Sequence, residues 1–314
     1  PMDPTEPREH TGPRGDLQED EAFSLVVLSL TEALGLAGLL GNGALLWLLG
    51  STVYRNPCAI YLLDTACADL IFLGCHMVAI VPDLLPGQSG IPGFVQASLA
   101  ALRFFCYLVR LALLAAVSAE QCAAALPGAR CPCRRPRHLA TALCALSWAL
   151  CLLLHLLLSG ACSQPFGAPG RAPCRAAWLA AAALVAALSA AVCVASLLLL
   201  LRAERGPQRA PPGAFPRLVL LCALLFLFGD LPFGIYWLAR SLRWRAPRRF
   251  HALSLLAAGL DRAAKPVVCF CLGRARGRGL RQPLALVLRR ALGEDAEPGA
   301  GSETPRRGLV EETA

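Results

Sequence analysis

Seven apolar runs dominate the sequence, at 22–50, 58–82, 92–120, 138–160, 176–202, 215–239 and 250–272. Each is long enough to cross a hydrocarbon core of ~30 Å as a helix. In lipid the backbone must satisfy its own polar groups, which restricts a crossing segment to a helix or a closed barrel. Barrel strands alternate with period two, and stretches such as Leu152 to Leu154 and Leu197 to Leu201 do not. The runs therefore predict an all-α membrane protein with a seven-transmembrane-helix bundle over 22–272. Composition points the same way. Apolar residues make up 56% and charged residues 16%, against about 25% charged in soluble domains, and the mean hydropathy is +0.54. A cytosolic enzyme, a disordered chain and a disulfide miniprotein are excluded, and 314 residues leave no space for a large soluble domain.

Arginine sets the expected orientation. Residues 1–21 hold seven acids, two arginines and no apolar core, so they are not a signal peptide. They are expected to be a disordered outer tail, with the first run serving as the membrane-targeting signal. The inner loops then hold Arg55, the group Arg130, Arg134, Arg135 and Arg137, and the group Arg202, Arg205, Arg209 and Arg217. The Arg240 to Arg249 cluster, in an outer loop, breaks the rule locally. Past the seventh run, Leu280, Leu284, Val287 and Leu288 recur at helical spacing among arginines. Residues 273–292 are expected to form an amphipathic helix on the inner leaflet, an eighth helix beyond the bundle. Residues 293–314 are too polar to fold.

Of the 30 basic residues only Lys265 is lysine, and asparagine occurs only at 42 and 56. Scarce Lys and Asn fit a GC-rich gene, and the net charge of +9 sits mainly in short loops, so it does not call for nucleic acid. Most of the 15 cysteines lie within apolar runs and read as buried thiols. Cys131 and Cys133 with His138 lack a fourth metal ligand. No metal site, cofactor motif or catalytic constellation stands out, and no enzyme is expected.

Short motifs recur one per run and in order: Gly41-Asn42, Ala66-Cys67-Ala68-Asp69-Leu70, Trp148, Leu231-Pro232, and Lys265-Pro266-Val267-Val268-Cys269. Together they resemble the rhodopsin-like class of G-protein-coupled receptors. Ser118-Ala119-Glu120-Gln121-Cys122, Cys133-Arg134-Arg135-Pro136-Arg137-His138 and Leu231-Pro232-Phe233-Gly234-Ile235-Tyr236-Trp237 are similar to the Mas-related receptors in particular. The resemblance spans about residues 16–314. It implies an orphan receptor of the plasma membrane, in a family known mainly from sensory neurons and linked to nociception. The implied partners are a heterotrimeric G protein, an extracellular ligand, the lipid bilayer and, as an alternative role, related receptors in heteromers.

The chain departs from the class pattern at the inner switch. The resemblance implies that Glu120, Gln121 and Cys122, with Arg134 and Arg135, face the G protein. Gln121 stands where the class has an arginine that pairs with the acid in the inactive state and reaches the G protein in the active one. A neutral amide cannot form a charge-assisted pair. Lys265 and Cys269 replace the Asn and Tyr of the seventh-run motif, and a thiol is a poor substitute for a phenol. The switch is then either weakened, or coupling is carried elsewhere. A transporter is a third reading; no inverted repeat supports it.

Asp69 occupies the position where many relatives bind sodium. Motif alignment brings Arg110, Asp261, Arg262 and Lys265 near it, and Asp230 lies two residues before Pro232. Three acids and three bases sum to zero, and charges at mid-membrane normally pair. The expectation is an ion network with a protein cation in place of sodium, Asp69 pairing Lys265 or Arg110. A purely structural network is the alternative. Asp64 is expected to accept from the Trp148 indole.

At the outer face the class clamp on run three is missing, since no Cys lies near Gln96. By resemblance, Cys162 and Cys174 are bridged, as the oxidising side of a membrane allows. The tentative ligand-binding residues are Arg103, Trp178, Asp230 and Trp237. Polycation-binding relatives place acids where this chain has residues such as Leu158 and Trp178. The basic outer half favours an anionic ligand over a basic peptide; attraction of the acidic tail, or codon bias, explains the arginines equally. Cys269 and Cys271 lie where palmitoylation is common; buried thiols are the alternative.

Overall fold

The computed structural model describes residues 13–51, 57–84, 91–125, 138–162, 172–205, 214–241, 247–275 and 283–292. They form nine helices: α1 (Pro13–Ser51), α2 (Pro57–Leu84), α3 (Gly93–Ala125), α4 (Leu139–Cys162), α5 (Ala172–Arg205), α6 (Ala214–Leu225), α7 (Leu231–Ser241), α8 (Arg248–Ala275) and α9 (Leu284–Ala291). A π-helical turn, Phe226–Asp230, joins α6 to α7, so the two make one span.

Six spans are long and apolar enough to cross a membrane: Ala22–Ser51, Pro57–Ile80, Gly93–Ala124, Leu139–Cys162, Ala172–Arg202 and Pro216–Arg240. The seventh, α8, carries Asp261, Arg262 and Lys265 in its middle. All three are buried inside the bundle, so their charge does not meet lipid. α4 shows the opposite pattern. It buries Ala140, Cys144, Ser147, Cys151 and Leu158 along one stripe, and leaves Leu146, Leu150, Leu153 and Leu157 more than half exposed. A helix apolar on its outward face belongs in lipid.

α3 is the central post. Cys106 to Leu111 are buried all the way round, and α3 packs on α2, α4, α5 and α6. α1 closes the ring between α2 and α8. The Trp148 indole donates to Asp64 Oδ1 at 3.0 Å, tying α4 to α2 as its sequence position implied.

Two prolines shape the core by removing a donor. Pro266 lies inside α8 and cannot donate to the carbonyl of Arg262, four residues earlier. Asn42 Nδ2 donates to that carbonyl at 3.1 Å, and to Gly38 O at 2.9 Å. Gly41 admits the proline ring, since a Cβ there would stand 2.9 Å from Pro266 Cγ. The Gly-Asn pair of run one is thus the complement of the Lys-Pro pair of run seven. Pro232 follows the π turn, whose wider ring, closed by Leu231 N–H to Phe226 O, absorbs the misfit that a proline imposes on a regular helix.

Two boundaries differ from the sequence reading. α1 starts at Pro13, inside the segment expected to be disordered. Proline suits the first turn of a helix. At the other end, α8 runs on to Ala275, and the surface helix is the short α9. Val287, Leu288, Ala291 and Leu292 are buried, Leu288 and Leu292 in one cluster with Leu45, Leu49, Ala59, Leu62, Leu218 and Cys269. That face lies on protein, while Leu284 of the same helix stays exposed. Close approach is possible at Gly273, where a Cβ would fall on the Val287 carbonyl. Leu280 and the tails 1–12 and 293–314 lie outside the described residues.

Candidate functional site

The middle of the bundle holds six charged side chains, each 2% exposed or less. Asp69 comes from α2, Arg110 from α3, Asp230 from the π turn, and Asp261, Arg262 and Lys265 from α8. Lys265 Nζ pairs with Asp69 Oδ2. Arg110 Nε and Arg262 Nε stand 3.4 Å and 3.6 Å from Asp69 Oδ1. Arg110 NH1 bridges Asp230 and Asp261, and Arg262 NH1 reaches Asp230. Every charge in the layer has an opposite partner, as burial demands. Arg262 also donates to Ala258 O at 2.9 Å and lies 3.5 Å over the Phe72 ring. Gly229 brings the π turn against α8; a Cβ there would meet Asp261 Cβ at 2.5 Å and Ala257 O at 2.9 Å.

Above the ions, toward the disulfide, sits an aromatic layer. Phe104 packs on Tyr107, Trp178 and Trp237. Phe233 joins Phe72, Tyr107 and Trp237 edge-on. Gly234 is required here, because a Cβ would collide with the Tyr107 phenol. Higher still, a cavity of about 400 Å³ is lined by residues of α1, α2, α3, α7 and α8. Its polar lining is Ser24, Gln96, Arg103, Tyr236 and His251. His251 stacks on Tyr236 with ring centroids 4.3 Å apart. Arg103 NH1 lies 3.3 Å from His76 Nδ1. A guanidinium only donates, so His76 is the neutral tautomer with its proton on Nε2.

The four ligand-binding candidates from the sequence thus separate. Arg103 lines the cavity. Trp178 and Trp237 belong to the aromatic floor, and Asp230 to the ion layer. His76, His251 and Tyr236 were missed as site residues. His76 lies seven residues, two helical turns, above Asp69, a spacing that could have put it on the same inward face.

Below the ions a smaller cavity of about 50 Å³ is roofed by Arg110 and Lys265 and walled by Cys58, Tyr61, Leu114, Val219 and Cys222. Farther down α3 lie Glu120, Gln121 and Cys122. The Cys122 thiol donates to Ala195 O at 3.1 Å, joining α3 to α5. Arg134 and Arg135 lie outside the described residues. Cys162 and Cys174 are bridged, with Cα atoms 4.7 Å apart. Cys269 is fully buried, whereas Cys271 is exposed.

Seven spans, the proline-bearing sixth and seventh, and the bridge between helices four and five restrict the relatives to be compared. The chain is 67% identical to human "Mas-related G-protein coupled receptor member E" over 310 residues, 99% of each chain. It belongs to the Mas-related G-protein-coupled receptor family. The mouse member E is 60% identical over 296 residues, 94% of this chain and 96% of its own. Member D of Macaca fascicularis is 36% identical over 92% of each. No family model matches the chain. Membership makes the molecule a multi-pass membrane receptor of a class that couples to G proteins, not one known for enzymes.

Proposed function

We propose that this Mas-related receptor sits in the plasma membrane with its N-terminus outside, and converts ligand occupancy of the upper cavity into G-protein activation at the α9 end. The observation that supports this most is the ion layer. It ties α2, α3, the π turn and α8 at one level, between the cavity and the Glu120-Gln121-Cys122 end of α3. A ligand that shifts the aromatic floor must shift those pairs together, and a packed layer of pairs has few intermediate arrangements. In this reading Lys265 takes the part that sodium plays beside Asp69 in many relatives. Glu120 to Cys122 with Arg134 and Arg135 form the G-protein face, and the signalling is sensory and nociceptor-related.

A second reading rests on Gln121 and Cys269. With no arginine in the α3 switch and a buried thiol where a phenol is usual, the chain acts as a receptor-like scaffold that modulates relatives in heteromers. Basal G-protein activation separates the two. Cells bearing matched surface amounts of wild type and Gln121→Arg are assayed across G-protein subtypes. A wild-type signal upholds the transducer. A signal from Gln121→Arg alone moves the scaffold ahead.

A further inference from the structure

The described interior holds four buried cations and three buried acids. Arg110, Arg262 and Lys265 are matched by Asp69, Asp230 and Asp261. Arg103 is the fourth cation, and it is the exception. It is 9% exposed, and among the described side chains no carboxylate lies within ion-pair distance of it. Its partner is the neutral His76, and its Nε has no hydrogen-bond acceptor. A second guanidinium stands nearby, as Arg240 donates to the Tyr236 hydroxyl at 3.4 Å. A buried cation without a counter-charge is costly, and this one faces an open cavity rather than packed protein.

We propose that the cavity binds a small amphiphilic organic anion. Its carboxylate or sulfonate head is held by Arg103, and its apolar body lies along Leu28, Ile80 and Leu255. Arg103 offers the bidentate fork that planar carboxylates fit. Gln96 and His251 supply polar contacts beside it. The volume falls in the lower part of the ~300–1,000 Å³ range of small-molecule sites. The aromatic floor of Phe104, Trp178 and Trp237 fills the α5 side, so the anion sits against α1, α2 and α8. This inference rests on the ligand-binding half of the proposed function, and its test involves no G protein, so the two fail separately.

The test is thermal unfolding of the purified full chain in nanodiscs of neutral lipid at fixed chloride. The probes are hexanoate and hexanesulfonate, with hexanamide and hexylamine as uncharged and cationic counterparts. The two anions are expected to give a saturable rise of a few degrees, and the counterparts none. Arg103→Lys keeps part of the rise and Arg103→Met loses it. Arg103→Met should also unfold at a higher temperature than ligand-free wild type, because it removes an unmatched charge. Equal shifts from hexanamide, or no shift from either anion, overturn the proposal. So does a lowered unfolding temperature for Arg103→Met, which would mean that the guanidinium is already compensated within the ligand-free chain. If Arg103→Met does not fold, the comparison of hexanoate with hexanamide on wild type decides alone.

Discussion

Lys265 and Asp69 are 196 residues apart in sequence and form an ion pair at the centre of the bundle, neither more than 2% exposed. The pair does not stand alone, because Asp69 also faces Arg110 and Arg262. Removing either partner leaves a buried charge in excess, which costs about 3–5 kcal/mol. Asp69→Asn leaves three cations against two acids, and Lys265→Met leaves the reverse. The double variant restores neutrality. It should therefore be less destabilised than the sum of the single variants, by more than the ~0.3–0.5 kcal/mol scatter of independent sites. Thermal unfolding of the four proteins measures this, and strict additivity would count against a neutral, interlocked layer.

Asn42 is expected to matter through Pro266. Asn42→Ala strips the donor from the Arg262 carbonyl and leaves it buried and unsatisfied, at about 1–3 kcal/mol. In a Pro266→Ala background the new N–H at 266 can serve that carbonyl, so the same substitution should cost much less. Equal costs in the two backgrounds would show that Asn42 acts by packing alone.

Gly229 and Gly43 give a matched pair. A Cβ at 229 meets Asp261 and the Ala257 carbonyl, whereas nothing lies within 4 Å of one at 43. Gly229→Ala is expected to cost about 1–3 kcal/mol, the range for overpacking, and to reduce surface expression. Gly43→Ala should be neutral. A neutral Gly229→Ala would mean that the π turn can move away from α8 freely.

The spans, their order and the membership of the ion layer were legible in the sequence, because apolar runs and isolated charges within them are physically expensive and so carry information. Arg110 and Asp261 could be placed by counting from motifs. The links that depend on backbone geometry were not legible. The π turn that aims Asp230 has no pattern of its own, and the Asn42 bond to the Arg262 carbonyl appears only once Pro266 is inside a helix. The floor role of Trp178 and Trp237 was hidden for a similar reason: a tryptophan on an inward face reads the same whether it lines a cavity or closes it. α9 kept its periodicity, but the pattern could not say whether its apolar stripe would meet lipid or Cys269 and its neighbours.

The Cys162–Cys174 bridge closes a short loop. Loop-closure entropy for about 15 residues corresponds to about 3 kcal/mol. Replacing both cysteines by serine should lower the unfolding temperature by an amount that mild reductant reproduces in wild type. Reductant should leave the serine variant unchanged. A further drop in that variant would point to a second reducible bond.

Side chains, not a mobile cation, neutralise Asp69. Unfolding temperatures in sodium and in choline at equal ionic strength test it most directly, for wild type, Asp69→Asn and Lys265→Asn. The prediction is no sodium-specific difference for wild type, and a saturable sodium stabilisation that appears in Lys265→Asn, where the ammonium has been removed. A saturable sodium effect in wild type that Asp69→Asn abolishes would contradict the claim.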